Sequence, residues 1–323
     1  MRPSLLPVTA LTLCLRLAAA HADETMTPPV TPPATPMTGT TTSQPQTTEP
    51  AANPVTDTHQ KRKQLLMISF DGAGPNPLWK KSMDIAARSN AHFTYFLACS
   101  LIIDRARAKT YQGPGEKPGR SNIGFAQTAE EARERLGHIW EAHLAGHEIG
   151  SHTCGHFDGK DWSEAEWLSE LKTFRTTVSN AWADEGAADR EPSGWKDFVA
   201  NGIRGFRAPY FSTSAGMIAA ERKAGFVYDA SAVTKGPAYP EEIANGDGKG
   251  MLRFGLPLIP EGPSERPIIG MDYNLYFRHS KATEDVANAA TYEDRAYKAS
   301  RPPSTGSMTA SAFPSSSAST SSK

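Results

Sequence analysis

His152-Thr153-Cys154-Gly155-His156 places two imidazoles four residues apart, directly after the short apolar run Glu148 to Ser151. That spacing lets both rings reach one divalent cation, whose chemistry would be the activation of water or the polarisation of a carbonyl. Two structural histidines, on the surface or in the core, are the other reading of the same spacing. Cys154 joins as a donor only if its side chain points the same way. His147-Glu148 invites comparison with a zinc-protease helix, but that motif needs its second histidine three residues after the glutamate, and His152 follows Glu148 by four. Asp71 is the other candidate, an acid that ends the apolar run Leu65 to Phe70.

These residues need elements to position them. Leu65 to Phe70 and His92 to Leu97 read as buried, parallel-type strands, with helical spacing from Pro77 to Ser89 between them. Thr128 to Ala145 reads as a helix with Thr128 and Glu131 in capping-box spacing and Gly146 as its stop. Glu148 to Ser151 is a third strand, Ser163 to about Trp182 a helix capped by Ser163 and Glu166, and Ile203 to Phe206 a fourth strand. Such alternation predicts an α/β sheet or barrel with its working residues at the C-terminal ends of strands.

Composition bounds the partners. With 34 Lys+Arg against 35 Asp+Glu in 323 residues, the net charge of −1 gives no basic excess for nucleic acid. Residues 1–22 read as an export signal, an apolar stretch interrupted by Arg16 and ending Ala20-His21-Ala22. The expected location is therefore secreted or periplasmic, with no stable membrane insertion after signal cleavage. Residues 23–61 are a Pro/Thr-rich linker, 62–298 the working domain, and 299–323 a Ser-rich disordered tail, the two end segments being too poor in large apolar residues to form a core. Of three cysteines, Cys14 leaves with the signal; two thiols cannot make a dense disulfide framework, so the fold must rest on its core. No repeat and no protein partner is implied. Gly113-x-Gly115 with Gly119 is broken by Pro114 and Pro118, so it is no dinucleotide fingerprint; with Arg120-Ser121-Asn122 it is expected to border a substrate cleft.

In order along 62–298, the chain resembles the polysaccharide deacetylases of carbohydrate esterase family 4. Ser69-Phe70-Asp71-Gly72-Ala73 is similar to the family's first motif, and Gly146-His147-Glu148-Ile149 with His152-Thr153-x-x-His156 to its second. Gly205-Phe206-Arg207-Ala208-Pro209-Tyr210 resembles the third, and Val227-Tyr228-Asp229-Ala230-Ser231 stands where members carry Tyr-Asp-Ser-Ser. The resemblance, strongest to chitin-directed members, implies an α/β fold, a distorted (β/α)7-type barrel, and a metal-dependent hydrolase. It would remove N-acetyl groups from an N-acetylglucosamine polymer, chitin-like or peptidoglycan. It implies His152 and His156 as ligands of a divalent ion, most readily Zn²⁺, Asp71 as general base, Arg207 as the partner that keeps Asp71 ionised, and the Tyr210 N–H as an oxyanion donor. Asp229 is expected to be structural or to stand behind the site, holding a strand end rather than doing chemistry.

Two departures qualify the resemblance. The family's first motif has consecutive acids, a base and a metal ligand, whereas Asp71 is followed by Gly72; the phenylalanine register makes Asp71 the base and leaves a water, Asp158 or Asp161 to complete the metal's shell. The family's late strand, ending in a histidine general acid, has no counterpart. In a neighbouring codon frame the text from Ser300 onward can spell an amphipathic helix, a turn and an apolar strand with a histidine. A frameshift near residue 299 is therefore expected, and with it a barrel missing its last strand. His279 is expected to be an exposed loop histidine, and Trp162 and Trp167 to serve packing. Removal of O-acetyl groups from a polysaccharide such as xylan, and a catalytically impaired carbohydrate-binding remnant, are the alternative functions.

Overall fold

In the computed structural model, which describes residues 66–244, 250–300 and the backbone of 315–317, five short strands lie between residues 66 and 234. These are β1 (Leu66–Gly72), β2 (Thr94–Leu97), β3 (Glu148–Ser151), β4 (Gly205–Phe206) and β5 (Tyr228–Thr234). Helices α1 (Asn76–Ser89), α2 (Ala129–Leu144), α3 (Glu164–Asp184), the one-turn α4 (Trp195–Asp197) and α5 (Ala215–Lys223) fall between them. Then come β6 (Glu241–Ile243), β7 (Met251–Glu261), β8 (Arg266–Ile269), α6 (Asp272–Ser280), α7 (Ala289–Ser300) and β9 (Ser315–Ser317). The expected signal and linker lie outside the described residues.

The hydrogen-bonded order is β6-β7-β5-β4-β3-β2-β1-β9, with β8 beside β7. Neighbours from β9 through β1 to β7 run parallel, while β6 and β8 pair antiparallel with β7. The path has two ends, so the mixed α/β sheet is a distorted (β/α)7-type barrel short of a closing strand. Among the described residues no late strand ends in a histidine; of the expected tail, 299–300 close α7, Ser315–Ser317 form β9 along Leu66 to Ile68, and the rest lies outside the described residues. β7 and β8 were not expected from the sequence, because Pro257 and Pro260 interrupt the apolar pattern and proline argues against an interior strand.

Local signals fix the helix starts. The Thr128 hydroxyl accepts from the Glu131 N–H at 3.1 Å. Ser163 and Glu166 form a complete reciprocal box, and a cap of this kind contributes about 1 kcal/mol. Helix α3 then lays Trp167, Leu171, Phe174, Val178, Ala181 and Trp182 on the core at three- and four-residue intervals. Trp162 and Trp167 pack edge to face at 4.8 Å, which gives both the packing role expected of them.

Register aligns the strand ends. Gly72 pairs with Leu97, Leu97 with Ser151, Ser151 with Phe206, and Phe206 with Asp229. The residues next to this row, Asp71, His152, Arg207 and Ala230, come from four different strands and meet at one end of the sheet.

Candidate active site

Arg207 is the hub of that end. It is 3% exposed, and its guanidinium donates to Asp71 Oδ1 at 2.7 Å, to Ser69 Oγ at 2.8 Å and to the Ala230 carbonyl at 3.0 Å. The group also lies 4.3 Å over the Phe96 ring. Burial by itself would raise the Asp71 pKa, but Arg207, aided by His152 and His156, outweighs it and holds the carboxyl below its ordinary 3.8. Asp71 is thus an ionised carboxylate with an oxygen to spare, as a base requires.

The Arg207 carbonyl fixes the first imidazole. His152 is 2% exposed and its Nδ1 lies 2.7 Å from that oxygen, so Nδ1–H donates and Nε2 keeps the lone pair. His156 stands beside it, the ring centroids 4.9 Å apart, and its Nδ1 is a buried atom without a hydrogen-bond partner. Burial depresses both imidazoles from 6.5, His156 to about 4 with the neighbouring His152 contributing, so both are neutral near pH 7. In the metal-free protein an NMR titration is expected to show His156 taking its proton near 4; titration near 6.5 would mean that water reaches the ring. Because the unfolded imidazole binds its proton at higher pH, His156 costs stability as pH falls from about 6.5 to about 4.

Two neutral imidazoles, one of fixed tautomer and one with an unpartnered buried nitrogen, fit a divalent ion. Among the described residues no group of three or more His, Cys, Asp or Glu is arranged around a metal position. Asp158 bonds Ser212 and the Lys160 N–H. Cys154 is tied to Cys99 in a disulfide and is withdrawn from the donor set.

Gly72 stands where the second acid was missed. It has φ 77°, and a Cβ there would meet only Ile123 and Leu101 methyl groups, at 3.8 and 3.9 Å. Ile123 follows Asn122, whose amide donates to the His156 carbonyl at 3.1 Å and to the Tyr210 hydroxyl at 3.4 Å. Aspartate tolerates the left-handed region better than most residues. Gly72→Asp is expected to bind Zn²⁺ more tightly by calorimetry while losing roughly 1–2 kcal/mol of stability to backbone strain. Unchanged affinity would place the Gly72 direction away from the imidazoles.

Tyr210, at φ 57°, turns the chain after β4; its side chain is 57% exposed and packs edge-on to His156 at 5.1 Å. Left-handed backbone also occurs at Ala73, Thr153, His156 and Phe211, so strained non-glycine residues gather on the loops carrying the candidate groups. Asp229 is fully buried and structural: it accepts from the Ser231 N–H at 2.8 Å, and Ser231 Oγ in turn accepts from the Ala208 N–H at 2.8 Å. A cavity of about 390 Å³ reaches Asp71 and Arg207 and is lined beyond them mainly by apolar groups such as Phe70, Trp79, Tyr95 and Met271.

His279 is not an exposed loop histidine. It lies on α6 with its side chain 4% exposed, its Nε2 3.2 Å from Glu261 and its ring stacked on Tyr292 at 5.3 Å. The ion cluster of Glu261 with Arg278 and Arg295 explains the burial. Sequence reasoning also missed Tyr111 and Glu170, whose carboxylate accepts from the Tyr111 hydroxyl at 2.8 Å and from the Cys154 N–H at 2.9 Å. An acid inside the apolar stripe of α3 was the available signal.

One end of the parallel α/β sheet thus gathers a carboxylate, an arginine and two imidazoles from separate strand ends. The chain resembles carbohydrate esterase family 4. No family model matches it, and no curated protein does. Among solved structures it is similar to the chitin deacetylase of Colletotrichum lindemuthianum, at 18% identity and TM-score 0.32 over 51% of this chain and 54% of that one. It is also similar to the esterase domain of a multidomain xylanase from the hindgut metagenome of Trinervitermes trinervoides, at 17% and 0.30 over 48% and 53%. A family 4 carbohydrate esterase from Streptomyces lividans, solved with acetate, matches at 15% and 0.32 over 52% and 62%. The chain therefore spans roughly half to three-fifths of the length of these relatives.

Proposed function

We propose that this chain is a metal-dependent hydrolase that removes N-acetyl groups from an N-acetylglucosamine polymer. The observation that carries the reading is the Asp71–Arg207 pair at 2.7 Å beside two neutral imidazoles, His152 buried and His156 half-buried. His152 and His156 would hold a divalent ion, Zn²⁺ by donor chemistry, which when bound supplies Lewis acidity to the scissile carbonyl and to a water. Asp71 takes the proton of the attacking water and then passes it to the amine nitrogen as the carbon–nitrogen bond breaks, releasing acetate and a free amine. Arg207 keeps that carboxylate ionised before the transfer and orients it through a buried, hydrogen-bonded guanidinium. The Tyr210 N–H donates to the oxygen on which charge develops. The exposed Tyr210 ring offers a face on which a sugar can pack.

The Cys99–Cys154 disulfide supports the secreted or periplasmic location, since such bonds persist in oxidising compartments. No described helix is long and apolar enough to cross a membrane. Gly72, in place of a second acid, favours as second reading a binding protein with impaired turnover. Acetate release with exposure of free amines on chitin oligomers, lost on chelation and restored by Zn²⁺, is the expected result. Acetate without new amines would make the enzyme an O-acetyl esterase, and binding with no acetate would make it the remnant.

A further inference from the structure

The loop between the two imidazoles is hard to hold. Thr153 and His156 both lie in the left-handed region, at φ 61° and 54°, where non-glycine residues persist only if their surroundings impose the conformation. Gly155 has no room for a side chain, because a Cβ there would collide with Phe157 and the Tyr111 hydroxyl. The Cys154 and Gly155 N–H groups donate to no backbone carbonyl, and buried amides left unpaired are costly.

One side chain receives them. Glu170 Oε1 accepts from the Cys154 N–H at 2.9 Å, from the Gly155 N–H at 3.3 Å and from the Tyr111 hydroxyl at 2.8 Å. Glu170 is 1% exposed, with Leu171, Phe174 and Trp167 around it on the buried face of α3. Burying the carboxyl is costly: these three donors all meet Oε1, and the buried Oε2 has no partner, so Oε1 is the atom that ties Glu170 to the loop. On the opposite side Asn122 donates its N–H to the Gly155 carbonyl at 2.8 Å and its amide to that of His156 at 3.1 Å.

We propose that Glu170 is the positioning residue of the ligand loop: it holds the Cys154 and Gly155 amides so that His152 and His156 face a common ion. This rests on the metal-site reading above. Glu170 touches neither substrate nor metal and acts through the backbone.

The test compares Glu170→Ala, Glu170→Gln and Tyr111→Phe by Zn²⁺ calorimetry, thermal unfolding and amide exchange. In Glu170→Ala the Cys154 and Gly155 amides are expected to exchange faster than their neighbours and Zn²⁺ to bind about 10- to 100-fold more weakly, as for loss of other supporting residues of metal sites. Glu170→Gln keeps an acceptor oxygen and is expected to restore both the protection and most of the affinity. Tyr111→Phe leaves both amides bonded and is expected to bind Zn²⁺ as the parent does. Wild-type affinity and protected amides in Glu170→Ala would overturn the proposal. If that variant does not fold, Glu170→Gln decides: both properties kept support it, while protected amides with Zn²⁺ binding lost overturn it, because charge and not loop geometry would then matter. A parent chain that binds no Zn²⁺ sinks the hydrolase reading separately, and exchange at the two amides still shows whether Glu170 holds the loop.

Discussion

Asp71→Asn is expected to lose about 10²- to 10⁴-fold in turnover, the usual contribution of a general base, while remaining folded. The amide keeps an oxygen for the Arg207 N–H that now donates at 2.7 Å, and Arg207 retains Ser69 and Ala230 as acceptors. What goes is the charge. A hydrogen bond to a charged partner becomes a weaker one, for a stability loss on the order of 1.5–3 kcal/mol at most, since the Asp71 side chain is 22% exposed. The contrast with Asp71→Ala is informative, because truncation leaves a buried guanidinium without its counter-charge and is expected to cost roughly 3–5 kcal/mol. The pH dependence follows from the lowered pKa. The Asp71 contribution is present above the unfolded value near 3.8 and is lost as pH falls through the still lower folded value. Steady-state assays and urea unfolding of both variants check this. Turnover of Asp71→Asn within about threefold of the parent, against the expected 10²-fold or more, would remove Asp71 from the role of base.

Replacing both Cys99 and Cys154 by alanine is expected to cost about 4 kcal/mol. The bond joins residues 55 apart, so it removes a large closure entropy from the unfolded chain. Both positions are fully buried, just past the ends of the neighbouring strands β2 and β3, and Cys99 N–H already donates to the Thr153 carbonyl at 3.0 Å. The disulfide therefore locks a contact that the sheet has made, and it does so inside the loop that carries His152 and His156. Urea unfolding of the double variant against the parent measures the cost, and Zn²⁺ calorimetry on the same pair measures how far the imidazoles depend on it. A loss below about 1 kcal/mol would show that strand pairing alone sets the loop.

Much of this site is legible in the chain itself. Alternating apolar runs and capped helical stretches place Asp71, His152 and Arg207 at strand ends, and the helix starts at Thr128 and Ser163 agree with their caps. Those signals are local: periodicity, caps and turn residues act within a few neighbours, so a linear reading reaches them. Strand β7 escaped because its prolines mimic a loop, and its pairing with β5 and β8 overrides that local cue.

What the tertiary structure decided are the contacts between distant segments. Arg207 meets Asp71 across 136 residues, a pair that the resemblance implied and spacing did not, Glu170 meets Tyr111 across 59, and Cys99 meets Cys154 across 55. None of these has a signature in spacing, because each depends on sheet register and on which face of α3 is buried. The same holds for His279, which a linear reading puts at the surface and which Glu261 and Tyr292 draw inward. Sequence by itself determined which residue types could do the chemistry and the element each stands on. Strand register and core packing decided which of them meet, because burial and pairing are properties of segments brought together and not of segments alone.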